Sequence, residues 1–148
     1  MKYTFLDLQN IIDLHQKFLS GQPGGMQANL EEAELFGANL ATMDLREANL
    51  EGASLKRANL WGANLEGASL KNANLKRAIM EAANLKNARL TGASLKGVNL
   101  ERTDLRGTDF TDAKLEDAIF FGAVFDTNTR WPADFNPILA GALEMNGD

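Results

Sequence analysis

The sequence contains no cysteine, one histidine and three prolines in 148 residues. Without cysteine the chain can form no disulfide, no thiolate metal site and no thiol nucleophile. Nothing in it approaches the ~18 consecutive apolar residues of a membrane-spanning helix. Charged residues also interrupt the apolar residues of the first twenty positions, so we predict no secretory signal. We therefore expect a cytoplasmic protein that does not enter a membrane.

Charge is unevenly distributed along the chain. The net charge of −5 divides into −4 for residues 1–45, +5 for 46–106 and −6 for 107–148. This distribution, with a basic middle between acidic ends, bears on which partners the surface attracts and not on the fold.

Residues 28–127 form twenty uninterrupted five-residue repeats. A large apolar residue, which we call the centre, stands at every fifth position from Leu30 to Phe125: sixteen are Leu, three are Phe and one is Met. The residue two before the centre is Ala in sixteen repeats. Asn, Asp or Ser frequently stands between them, and these residues bond readily to nearby backbone.

A period of five fits neither a straight helix nor a straight strand. Five helical steps of ~100° rotate the apolar stripe away, and five strand steps turn it to the opposite face. The chain must therefore turn once per repeat, and four turns close a coil of twenty residues. The two residues after each centre, which we call corner residues, often include a glycine, as a turn with positive φ favours.

Both ends of such a stack need covering, because they expose the core and unpaired strand edges. Thr4 is predicted as the N-cap of a helix over about residues 5–20, with Asp7 completing a capping box. After the repeats, Trp131 is predicted to plug the core, and Asn136-Pro137 to begin a short helix. The predicted organisation is an N-terminal capping helix and linker (1–27), the repeats (28–127) and a C-terminal cap (128–148).

The Ala-Asn-Leu triplets, as at 28–30, 38–40 and 58–60, resemble the consensus of the pentapeptide-repeat family. The tail after the repeats resembles that of cyanobacterial members. The resemblance implies an all-β solenoid, a right-handed quadrilateral β-helix of about five coils. It implies little about function, since fold does not fix function. Some members inhibit DNA gyrase by imitating duplex DNA, so a DNA-mimicking regulator of gyrase or topoisomerase is the alternative function. Such mimicry needs negative charge along the rod, whereas the middle of this chain is positive.

The twenty-residue register predicts two candidate binding surfaces. One side carries stacked basic residues, with Lys114 one coil further on; the members of the stack are Lys56, Arg57, Lys76, Arg77 and Lys96. The next side exposes Trp61 and Phe121, with Ile79 and Ile119. We predict a non-enzymatic protein-interaction scaffold whose partner is a protein or presents an anionic surface. Nucleic-acid binding is not expected, because no aromatic residues alternate with the basic ones. Monomer and dimer both remain open.

No residue pattern indicates catalysis, a cofactor or a metal. His15 lies in the predicted helix with no second histidine or cysteine to complete a zinc site. The acidic pairs Glu31-Glu32 and Asp112/Asp117 are interpreted as solvated surface charge. We therefore predict no enzyme, no cofactor and no metal.

Overall fold

The computed structural model describes residues 2–146, so residues 1, 147 and 148 of the two predicted end segments lie outside the described residues. The chain passes over itself every twenty residues. Parallel bridges join Asn29 to Asn49, Asn49 to Ser69 and Ser69 to Arg89, and the three other sides of the coil show the same spacing. The elements are α1 (Phe5–Leu19), β1 (Val124–Phe125) and β2 (Leu143–Glu144), and β1 and β2 pair in parallel.

Each repeat combines one bridge with one turn. In the repeat centred on Leu55, the Leu55 N–H donates to the carbonyl of Asn74 one coil above, at 2.7 Å. The turn closes when the Ala58 N–H donates to the Leu55 carbonyl at 2.9 Å. The chain is thus extended for two or three residues and then turns, as the period of five requires.

The second corner residue is left-handed in nineteen of the twenty repeats. Eight of these residues are glycines, as predicted, but eleven carry a side chain, including Arg57 with φ of 59° and Arg77 with φ of 56°. Because Cβ crowds the next carbonyl in this conformation, a residue other than glycine costs about 1–2 kcal/mol. Glycine is therefore a signal of these turns but not a requirement.

The core is a column of centres with small residues beside them. Every centre from Leu30 to Phe125 is buried, and the residue two before it is buried in all but three repeats. Where threonine replaces that alanine, its buried hydroxyl finds a carbonyl: Thr103 Oγ1 donates to Leu100 at 2.7 Å, and Thr108 Oγ1 to Leu85 at 2.8 Å. The core near the C-terminal end therefore accommodates threonine without leaving a buried hydroxyl unpaired.

Helix α1 covers the first coil. Its capping box is present: the Asp7 N–H donates to Thr4 Oγ1 at 3.1 Å and the Thr4 N–H to the Asp7 carboxylate at 2.8 Å. Ile12 belongs to the core, and the Ala28 N–H donates to Nδ1 of the buried His15 at 3.0 Å. His15 is thus one of the contacts that join the helix to the first repeat.

The C-terminal segment continues the stack, with one residue more than the repeat. Arg130 bridges Asp109, so Trp131 lies above Phe110, with ring centroids 5.0 Å apart and planes 8° from parallel. The prediction of a tryptophan plug is confirmed. The predicted short helix is wrong, because residues 137–141 form turns only. Asn136 still caps them, accepting the Leu139 N–H at 3.1 Å, but Gly141 leaves the helical region with φ of 92°.

Candidate functional site

Five basic side chains line one groove on the outside of the coil. The groove has a volume of about 330 Å³, and its lining consists of Lys56, Arg57, Lys76, Arg77 and Lys96. All five are exposed. We call this surface the basic groove, and it contains every basic residue that the register placed in the stack.

Backbone bonds hold the residues of the basic groove in register. The Arg57 N–H donates to the Lys76 carbonyl, and the Arg77 N–H to the Lys96 carbonyl, both at 2.9 Å. Asn74, just before its centre, accepts the Lys76 N–H at 3.2 Å on its side-chain oxygen. Since parallel strands lie ~4.8 Å apart, three successive coils place their cations within about 10 Å along the axis.

No residue of the basic groove forms a salt bridge within residues 2–146. Three arginines elsewhere do: Arg46 lies 2.7 Å from Asp44, Arg106 lies 2.6 Å from Asp104, and Arg102 pairs with Glu81. Hydrogen bonds from Arg46 and Arg106 lower the pKa of their partner carboxyl groups. These three arginines are therefore paired locally, whereas the five cations of the groove are not.

The sequence also distinguishes the basic groove from the other corners, at the residue that directly follows each centre. In the basic groove this position carries three successive lysines, Lys56, Lys76 and Lys96. At the other three corners of the coil, no more than two successive coils carry like charge there. Like charges stacked on neighbouring strands destabilise, so this run is a local cost to the fold.

The basic groove ends at acidic residues in the fifth coil. Glu116 and Asp117 occupy the same corner as Lys96 and Gly97, whose N–H donates to the Glu116 carbonyl at 2.9 Å. Lys114, which the register placed on this side, precedes its centre and bridges Ser94 instead of lining the groove. The basic groove is thus confined to the second, third and fourth coils.

Trp61 and Phe121 lie at one corner of the coil, three coils apart. Trp61 is 47% exposed and Phe121 is 73% exposed. The bridges from Asn59 through Ile79 and Asn99 to Ile119 place them three coils apart, about 14 Å at the usual strand spacing. Glu81 and Glu101 occupy the same corner between them. The predicted surface therefore combines two aromatic side chains three coils apart with the exposed Ile79 and Ile119, and two glutamates lie at the corner between the aromatic residues.

Sequence reasoning missed an apolar groove beside the basic one. It has a volume of about 350 Å³ where the start of α1 meets the first coil, and its apolar lining includes Tyr3, Phe5, Leu8, Phe36, Ala41 and Met43. Phe36, 60% exposed, occupies the corner position that Lys56 takes in the next coil. The twenty-residue register shows only the position of Phe36, directly before the three lysines, and not the side chains of residues 3–8 that complete the groove.

The histidine and the acidic residues do not come together in a metal site within the described part of the chain. Among residues 2–146 no group of three or more His, Asp or Glu side chains is arranged to hold a metal ion. Burial lowers the pKa of His15, partly offset by the backbone of Arg46 and the carboxylates of Asp44 and Glu47. Within the same residues no helix is long and apolar enough to cross a membrane.

The chain belongs to the pentapeptide-repeat family. The family model for pentapeptide repeats matches eight copies, in overlapping segments that run from residue 26 to residue 122. The membership predicted from the Ala-Asn-Leu triplets is therefore confirmed. Proteins of this family form right-handed quadrilateral β-helices.

Several solved structures resemble the chain. Rfr23, a pentapeptide repeat protein from the cyanobacterium Cyanothece 51142, is 35% identical with a TM-score of 0.57, over 70% of this chain and 63% of Rfr23. A pentapeptide repeat protein of the Arabidopsis thaliana thylakoid lumen is 33% identical with a TM-score of 0.49, over 61% of this chain and 66% of that one. QnrB1, a plasmid-mediated fluoroquinolone resistance protein, is 24% identical with a TM-score of 0.46, over 82% of this chain and 64% of QnrB1.

The chain spans less than two thirds of the length of each of these proteins. No curated protein matches it. The likeness to Rfr23 supports the fold, and the function has to be argued from this chain's own surface.

Proposed function

We propose that the chain is a right-handed β-helix of about five coils, capped by residues 1–27 and 128–148, that serves as a non-enzymatic protein-interaction scaffold. The family in general is a non-enzymatic repeat fold. The basic groove is its docking surface, and an acidic segment of another protein is its partner.

One observation supports this assignment above others: five exposed cations lie in one groove without a salt bridge among the described residues. Their mutual repulsion opposes folding and is relieved when a partner supplies carboxylates. Nucleic acid fits less well, since no aromatic residue lines the basic groove for base stacking.

Affinity capture with matched charge reversals tests the scaffold function. The tagged protein and a variant with Lys56→Glu, Lys76→Glu and Lys96→Glu are used to capture proteins from the native lysate. The control variant reverses Lys71, Lys86 and Lys114, which lie outside the basic groove, and so has the same net charge. We expect the control to retain an acidic partner that the groove variant loses. Equal capture by both variants would exclude the basic groove as the docking surface.

The alternative is a regulator of DNA gyrase or topoisomerase that imitates DNA. The likeness to QnrB1 supports it only distantly, and the positive second to fourth coils oppose it. A gyrase supercoiling assay separates the two functions. The scaffold proposal predicts no inhibition, and inhibition that rises with protein concentration would establish the alternative.

A further inference from the structure

We infer that the partner of the basic groove is an extended peptide segment with one aromatic or large aliphatic anchor followed by a run of acidic residues. This inference rests on the proposed function and specifies its ligand. The anchor occupies the apolar groove, and the acidic residues follow the axis of the coil over the three lysines.

Phe36 of the apolar groove is in register with Lys56 of the basic groove. The Gly37 N–H donates to the Lys56 carbonyl at 3.0 Å, so the corner that carries Phe36 lies directly before the first lysine of the basic groove. Phe36 itself lines the apolar groove. A ligand lying along this corner therefore passes from an apolar surface to a cationic one within a single coil step of about 4.8 Å.

The apolar groove suits one large side chain. Its volume of about 350 Å³ is near the lower end of the range for ligand sites. Phe5 is 81% exposed and Phe36 60% exposed, so both retain apolar surface that an anchor would cover. Anchoring aromatic side chains contribute much of the affinity of protein interfaces.

Charge places the acidic residues of the ligand away from its anchor. Glu34 lies on the wall of the apolar groove and repels carboxylates there, whereas Lys56, Lys76 and Lys96 attract them further along. The acidic run must therefore lie on one side of the anchor. From Phe36 to Lys96 are three coil steps, about 14 Å, which about four extended residues span at ~3.3 Å each.

Fluorescence anisotropy with labelled hexapeptides tests this ligand. The probe carries Trp, Gly and four Glu residues in that order; one comparison peptide has Ser in place of Trp, and another has Gln in place of every Glu. We expect the intact protein to bind the probe roughly tenfold or more tightly than either comparison peptide. Because these measurements use the unaltered chain, they do not depend on how any variant folds.

Variants assign the two parts of the peptide to the two grooves. Phe36→Ser is expected to remove the advantage of the Trp peptide over the Ser peptide, whereas Leu139→Ser, at a side chain 86% exposed elsewhere, retains it. Lys76→Glu is expected to weaken binding of both peptides. Lys71 is also the first residue after its centre and belongs to the same coil, but it lies at a different corner, outside the basic groove. Lys71→Glu is therefore expected to leave both affinities unchanged.

The outcomes separate this inference from the proposed function. Equal affinity for the Trp and Ser peptides, with both lost in Lys76→Glu, would overturn the anchor and leave the basic groove as a docking surface. No binding of either peptide, or equal binding by Lys76→Glu and Lys71→Glu, would overturn both. Tighter binding of a six-residue oligothymidylate than of the Trp peptide would overturn the peptide ligand in favour of nucleic acid.

Discussion

A residue's position within the five-residue repeat determines how much side chain it can carry. Ala73 is 1% exposed beside the column of centres, whereas Ala82 is an exposed, left-handed corner residue with φ of 59°. Arg57 and Arg77 show that the corner position accepts long side chains. Two alanines nine residues apart are thus under opposite constraints.

The first prediction follows from this contrast. Ala73→Phe should destabilise the fold by about 3 kcal/mol or more, because overpacking a narrow core forces side chains and backbone to shift. Ala82→Phe should change the free energy of unfolding by less than about 1 kcal/mol, since the ring points into solvent. Urea unfolding of both variants provides the test, and equal stabilities would refute the packing of the column.

The five-residue period predicts some features of individual residues and not others. The period identifies the centres and small residues because burial acts on every repeat in the same way. It could not show that eleven left-handed corners lack glycine, because these turns tolerate the local cost of a side chain. Nor could the period show that His15 is fully buried, because its burial depends on how α1 lies on the first coil.

At the scale of elements, α1 and the C-terminal segment differ in predictability. The start of α1 follows from the local capping box of Thr4 and Asp7. The C-terminal segment has an equally clear start at Asn136, but only five residues of turn follow before Leu143–Glu144 pairs with β1. So short a segment is not stable as a helix in isolation, and strand pairing determines its course.

The docking of α1 should depend on pH through His15. Its Nδ1 accepts the Ala28 N–H at 3.0 Å and so carries no proton, and burial lowers the pKa of the ring below its ordinary value of 6.5. As the pH falls below 6.5, the unfolded chain binds a proton that the folded chain resists, so the free energy of unfolding decreases.

His15→Asn provides the matched control, because its side-chain oxygen can accept the same N–H without titrating. Urea unfolding at about pH 7.5 and about pH 5.5 should show a larger loss of stability for the natural chain than for the variant. The same loss in both would show that His15 does not govern the docking of α1. The carboxyl groups with lowered pKa, such as those of Asp44 and Asp104, remain ionised over this range and contribute equally to both proteins.

For the whole molecule, the twenty-residue register predicts which residues lie on the same surface. Once the coil of twenty residues is known, the members of the basic groove follow by counting, and the structure shows them lining one groove. The apolar groove could not be found in this way, because Phe5 and Leu8 of α1, with Tyr3 just before the helix, complete it, and no repeat relates these residues to the first coil. The cytoplasmic location and the identity of the partner remain predictions.

The central claim is that the basic groove is maintained for binding at a cost to folding. Lys76 lies between Lys56 and Lys96 on neighbouring coils, whereas Lys71 lies over Glu51. Replacing Lys76 by Glu should therefore relieve repulsion, and replacing Lys71 by Glu should create it.

The most direct test measures the thermal unfolding midpoint of Lys76→Glu and Lys71→Glu at low salt, together with binding of the acidic peptide. A higher midpoint with lost binding for Lys76→Glu, and a lower midpoint with retained binding for Lys71→Glu, is the predicted result. A lower midpoint for Lys76→Glu with unchanged binding would contradict the claim, because the lysines would then serve the fold and not a partner.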